Sequence, residues 1–238
     1  MKERLGDVKV LTFDVGGTVF DWYSGVVQAV GALAKTKGVE LDTSAFAIGW
    51  RELFFDTLAL VRSGALPRMN ADGIHRLTLD TVADRYPALG LTDEEKDGLT
   101  DAWHSLNAWP DANPAIQRLR SRYTVVVLTV LSFGIVVDSS KHSGIDWDGI
   151  ISCEFLQHYK PDVDAYLDGL DLLGIEPREA MMVAAHKWDL LAAKEAGLAT
   201  AYVPRPRERG EHTQFEATLP DVDVNARDFA GLADLLLA

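Results

Sequence analysis

Residues 8–13 (VKVLTF) form a short β-branched apolar run that stops on Asp14, with Val15 and the pair Gly16-Gly17 directly behind it. An apolar run of this length suits a strand buried on both faces, which belongs to parallel sheets sandwiched between helices. Three more such runs follow, at 124–128 (TVVVL), 149–153 (GIISC) and 181–185 (MMVAA). Segments of helical period separate them: 113–122, 133–143, 161–173 and 189–196. Strands alternating with helices of roughly ten residues make βαβ units, hence an α/β fold with one Rossmann-like parallel sheet. Ligands of such sheets collect at the carboxyl ends of the strands. The residues just after each strand therefore carry the information about function.

The interval between the first and second strands breaks the alternation. From 23 to 107 only helical periodicity occurs, as in FAIGWRELFFDTLALV and ADGIHRLTLDTVADRY, with breaks at 64–67 and 87–90. This predicts an all-helical insert at 23–107 on a core made of 1–22 and 108–238. Short edge strands are expected at 201–203 and 222–224, a last helix at 229–237, and a loop over 204–220. Within that loop 205–209 (RPRER) reads as solvated. Trp103, Trp109 and Trp147 are expected in the core, and Asp21 and Trp22 as hinge and packing residues.

Of 238 residues, 47% are apolar and 25% charged, enough for a sizeable core. The formal net charge of −13 argues against nucleic acid or an anionic membrane surface as partner. A small anion remains compatible, because a local Arg or Lys outweighs the mean field within a Debye length. No apolar run approaches the ~20 residues of a membrane span. The amino-terminal MKERLGD shows no signal region, and the single cysteine, Cys153, cannot form an internal disulfide. Both fit a cytoplasmic protein.

Read in order, the strand ends present Asp14 and Thr18, then Thr129 and Val130, then Lys160, then His186 and Asp189. Asp14 can attack an electrophilic carbon or phosphorus and form an ester. Lys160 can hold it ionised. Thr18, Thr129 and the glycine-rich turn amides can donate to an oxyanion, and Asp189 can activate water against the ester. His75, His104 and His142 show no metal-ligand spacing and receive no role.

FDVGGT, a helical insert, VVVLT, HYKPD and VAAHKWD, in that order after strands, resemble the four motifs of the haloacid dehalogenase superfamily. The resemblance spans nearly the whole chain, and its insert falls where the family carries a helical cap. The phosphatase branch of that family has a second acidic residue where Gly16 stands, and a metal-binding carboxylate where Ala185 stands. Their absence points to the L-2-haloacid dehalogenase branch, which this chain resembles in Asp14, Gly17, Thr18, Lys160, Tyr166, Trp188 and Asp189. GWRELFF is similar to the segment carrying that branch's halide-binding arginine, here Arg51. The resemblance implies a metal-free, cofactor-free hydrolase that releases halide from a short 2-haloacid through an Asp14 ester. It further implies substrate or halide contacts from Val15, Arg51, Thr129, Val130, Tyr166 and Trp188, and a homodimer. Gly16 replaces a tyrosine of that branch, which is expected to widen the pocket. Val130 and His186 each replace an asparagine, and Ala184 a serine; His186 is expected to serve as donor or base.

A magnesium-dependent phosphatase or phosphonate hydrolase on the same scaffold is the alternative. Asp-Val-Gly-Gly-Thr is also similar to the phosphate loop of sugar and acetate kinases, but the chain shows no second Gly-rich loop. A silent binding protein that kept the fold is the remaining reading.

Overall fold

The computed structural model describes residues 6–238; within the amino-terminal stretch read as signal-free, residues 1–5 lie outside them. Four parallel strands fall where the apolar runs predict: β1 (Val10–Phe13), β2 (Thr124–Thr129), β3 (Gly149–Ser152) and β4 (Ala180–Ala184). With β5 (Ala199–Tyr202) and β7 (Val224–Asn225) they form one sheet in the order β3-β2-β1-β4-β5-β7. All of its pairings are parallel. Every residue of β1 and β4 is buried, which explains why neither shows polar alternation.

Helices cover the sheet. Phe13 meets Trp147 and Phe229 at ring-centroid distances of 5.7 and 5.6 Å. Phe229 opens the last helix, α9 (Phe229–Leu237), whose start is capped by Asp228 accepting from Gly231 N–H. From β1 the chain winds outward through β2 to β3, then crosses back to β4 on the other side of β1. The space beyond β1 and β4 is thus the switch point, where diverging connections leave a crevice. Phe13 pairs in register with Val127 and Val183, and β2 and β4 run on to Thr129 and Ala184, so the three strand ends lie within two residues of one another.

Between β1 and β2 the described structure is helical: α1 (Trp22–Lys37), α2 (Thr43–Arg62), α3 (Ala71–Ala83), α4 (Asp93–Asp101), the 3-10 turn Ala102–Ser105 and α5 (Ala112–Leu119). Each of the first four starts at a polar cap: Asp21, Asp42, Asn70 and Thr92, the last in a full capping box with Glu95. Asp21, expected as a hinge residue, accepts from Ser24 N–H as a cap. The buried stripes of α1 and α2 bring Trp22 and Trp50 against Trp103, and Phe54 against His75, which stacks on Trp103. Among the described residues no helix is long and apolar enough to cross a membrane.

The region 204–220 departs from expectation. It holds a short strand, β6 (Glu208–Glu211), and its first arginine is not solvated. Arg205 is buried: its Nη1 donates to both oxygens of Asp111 at 2.9 and 3.0 Å, and its guanidinium lies 4.3 Å from the Phe229 ring. An ion pair and an aromatic face offset the desolvation. Both partners are distant in sequence, so RPRER alone reads as surface.

Candidate active site

Asp14 continues β1 by one residue, its N–H donating to Val183 O at 3.0 Å. Its carboxylate is almost fully buried, yet each oxygen has its own surroundings. Oδ2 accepts from Thr18 Oγ1 at 2.6 Å and lies 3.1 Å from His186 Nδ1. Thr18 Oγ1 in turn accepts from Ala185 N–H at 3.0 Å, so its proton is directed at Asp14. Oδ1 faces Lys160 Nζ at 3.6 Å, too long for a strong hydrogen bond. Oδ1 is the less encumbered oxygen.

Lys160 is fully buried and donates to Asp189 Oδ2 at 2.7 Å. Asp189 Oδ1 accepts from Tyr166 OH, so both Asp189 oxygens are already engaged. Burial alone would raise the Asp14 carboxyl, but the Lys160 charge, then His186 and Thr18, hold it well below the usual carboxylate range. Burial would likewise lower Lys160, but Asp189 and Asp14 keep it raised and cationic. Asp189 itself is raised, first by burial and then by Asp14, against the pull of Lys160. One ammonium thus serves two carboxylates, leaving Asp14 the weaker base and Asp189 the stronger.

His186 precedes α8 (Lys187–Glu195) and points inward. Its Nε2 lies 2.9 Å from Glu208 Oε1, and that same oxygen accepts from Trp22 Nε1 at 3.2 Å. Burial disfavours the charged ring, but Glu208 and Asp14 overcome it and raise His186 to about 10. The ring is therefore an imidazolium at neutral pH, with both nitrogens donating. Of the two roles expected of His186, donor or base, these two carboxylates favour the donor. Glu208 needs the bare backbone of Gly17: a Cβ there would meet Oε1 at 2.2 Å, and φ is +92°.

Arg51, on α2, is buried with its guanidinium 4.5–5.5 Å from the rings of Trp22, Phe54, Phe55 and Trp103. Burial pushes it down to about 10, against Glu208 and Asp14, so it stays cationic. A Cβ on Gly16 would meet Arg51 Nη2 and Leu131 Cδ1, both at 3.2 Å. Gly16 therefore does not widen the pocket as expected, because Arg51 and Leu131 occupy the space that a side chain would take.

A cavity of about 250 Å³ lined by Phe55, Leu58, Arg62, Lys160, Pro161 and Trp188 leads to the buried ammonium. A larger one, about 790 Å³, lies on the outer side of His186 and is lined by Glu208, Arg209 and His212 among others. Magnesium does not fit the donor set beside Asp14. Gly16 and Ala185 have no oxygen-bearing side chain, and two cations, Lys160 and His186, already flank the carboxylate. Among the described residues no cluster of three or more His, Cys, Asp or Glu could hold a metal.

Residues 8–197 match the haloacid dehalogenase-like hydrolase family. The chain belongs to that family. It is 29% identical over 214 residues to (S)-2-haloacid dehalogenase 4A of Burkholderia cepacia, covering 88% of this chain and 87% of that one. The structure is similar to that of a defluorinating L-2-haloacid dehalogenase, with TM-score 0.92 and 37% identity over 97% of this chain and 96% of the other. It is also similar to a second L-2-haloacid dehalogenase, with TM-score 0.91 and 32% identity over 97% and 99% of the two chains.

In this haloacid dehalogenase-like hydrolase, Asp14, Thr18, Lys160, His186 and Asp189 share one buried cleft, and Arg51 approaches it from α2. Tyr166, expected against substrate, stands behind Asp189, with its hydroxyl on that carboxylate. Trp188 is partly exposed and stacks on His186 at 5.7 Å. Val15 and Val130 are buried apolar side chains, and Thr129 Oγ1 accepts from Leu131 N–H at 3.1 Å. One of the turn amides expected as oxyanion donors is engaged elsewhere: Gly17 N–H donates to Phe20 O at 2.9 Å. Glu208 is the residue that sequence reasoning missed. It lies inside the run read as solvated, and nothing local marks it.

Proposed function

We propose that this chain hydrolyses the carbon–halogen bond of a short 2-haloacid through an ester on Asp14. The observation that carries it is the state of that carboxylate: ionised, clamped through Oδ2, open at Oδ1, with no second acid at Gly16. A phosphate ester needs its leaving alkoxide protonated, and Gly16 offers no acid at the position where the phosphatase branch carries one; a halide leaves without a proton. The names of the relatives agree with this choice over the phosphatase alternative.

Oδ1 attacks C2 from the side opposite the halogen, which departs with the bonding pair towards Arg51. The new ester has Oδ1 as its alkyl oxygen and Oδ2 as its carbonyl oxygen. When water attacks the carboxyl carbon, negative charge develops on Oδ2, where Thr18 and the His186 imidazolium already donate. Asp189, the more basic carboxylate, takes the water's proton. As the charge on Oδ2 collapses back, the bond from the carboxyl carbon to Oδ1 breaks, and the 2-hydroxy acid leaves with Oδ1 and takes up that proton. Thr129 and the remaining turn amides hold the substrate carboxylate. The segment 23–107 acts as a cap, supported by Arg51 and Phe55 reaching over the site from α2. A cytoplasmic location is supported by the lone buried cysteine, and a homodimer by family resemblance alone.

Single turnover of 2-chloropropionate or fluoroacetate in ¹⁸O water, with EDTA present, tests the reading. Label in the Asp14 peptide together with halide release is the expected result. Label only in the product, or release of phosphate from esters and none of halide, overturns it.

A further inference from the structure

The aromatic lining around Arg51 holds polar atoms that nothing in the described structure satisfies. His75, on α3, is fully buried and neither ring nitrogen has a partner. Trp103 is fully buried and its Nε1–H is also unpartnered, as is Arg51 Nη1. These groups are neighbours. The His75 ring stacks on Trp103 at 3.8 Å and on Phe54 at 4.5 Å, and the Arg51 guanidinium lies 5.5 and 5.1 Å from those same two rings.

The deficit is local. Trp50, in the same cluster, has its Nε1–H satisfied by His75 O at 3.0 Å and Thr78 Oγ1 at 3.1 Å. Buried polar groups are nearly always partnered, because each gave up water on folding. Three unpartnered side chains thus share one aromatic box, and a single acceptor from outside would supply what they lack. Burial and the Arg51 charge keep His75 neutral, so one of its nitrogens carries a proton to donate. The complement of a guanidinium, an imidazole N–H and an indole N–H, walled by rings, is a small monoatomic anion.

We propose that His75 and Trp103 complete the leaving-group cradle begun by Arg51, and that their N–H donors favour fluoride over the larger halides. The inference rests on the dehalogenation reading above. The carbon–halogen pair moves onto the halogen as Asp14 Oδ1 bonds to C2; the halide then accepts from the three donors, and no proton is transferred. Fluoride is the smallest and strongest acceptor of the series and gains most from directed donors. Bromide is diffuse and gains least.

The test uses His75→Phe, which keeps a stacking ring and deletes both nitrogens, and Trp103→Phe, which deletes the indole N–H. Turnover of fluoroacetate, chloroacetate and bromoacetate is compared with wild type, alongside calorimetric titration with sodium fluoride. Expected is a loss of at least about tenfold on fluoroacetate in either variant, with bromoacetate changed by less than about threefold. An equal loss on all three substrates, or none, overturns the proposal; if one variant does not fold, the other decides. Should wild type turn over no haloacid, the titration separates the two ideas. Fluoride bound by wild type and lost in the folded variants keeps the cradle while the reaction fails; no fluoride bound by wild type overturns the cradle.

Discussion

His186 Nε2 and Glu208 Oε1 lie 2.9 Å apart, and this contact keeps a cation against the Asp14 carboxylate. Glu208→Gln preserves the shape but removes the charge that contributes most to raising His186. The imidazolium then loses its proton at lower pH. The alkaline limb of kcat is expected to move towards neutrality by at least about one pH unit. A pH–rate profile, paired with NMR titration of the ring, checks it; an unmoved limb contradicts the assigned role.

The same ring links pH to stability. His186 titrates at about 10 in the folded protein against an ordinary 6.5. A group raised on folding contributes fully below its unfolded value, and the contribution fades as pH climbs through the folded one. Wild type is therefore expected to lose stability relative to His186→Asn as pH rises from about 6.5 to about 10. Urea unfolding of both proteins at intervals across that window measures the difference.

Lys160→Met leaves Asp14 and Asp189 buried with no cation between them. Removing one partner of a buried charge network costs ~3–5 kcal/mol. Asp14 also loses its largest stabilising charge, so one of the two carboxylates takes a proton. Halide release is expected to fall at least ~100-fold, and denaturant midpoints to drop.

Arg51 presents the opposite sign. It is a buried cation without an ion-pair partner in the described structure, only partly offset by four aromatic faces. Arg51→Met is expected to raise stability by ~1–3 kcal/mol while abolishing turnover. Thermal melts and halide release on one preparation show whether the two move in opposite directions.

The two glycines after Asp14 differ in kind. Gly17→Ala meets Glu208 at 2.2 Å and carries a positive φ of +92°, so a loss of ~2–4 kcal/mol is expected. Gly16→Ala meets Arg51 and Leu131 at 3.2 Å without backbone strain. It is expected to cost ~1 kcal/mol or less yet to lower activity through displaced Arg51. Equilibrium unfolding and steady-state kinetics on both variants separate the effects.

The sequence alone determined the sheet and the strand-end residues, because a strand buried on both faces must be continuously apolar and must stop where a polar group is needed. Asp14, Thr18, Lys160 and Asp189 were legible for that reason. The helical segment was legible from its 3.6-residue period. Tertiary structure decided what those local rules do not touch. Glu208 meets His186 across 22 residues and Trp22 across 186, Arg205 meets Asp111 across 94, and Arg51 fills the space beside Gly16 from another element. Burial turns each of these from an ordinary surface charge into a group whose protonation and position depend on its neighbours, and no local pattern encodes such neighbours.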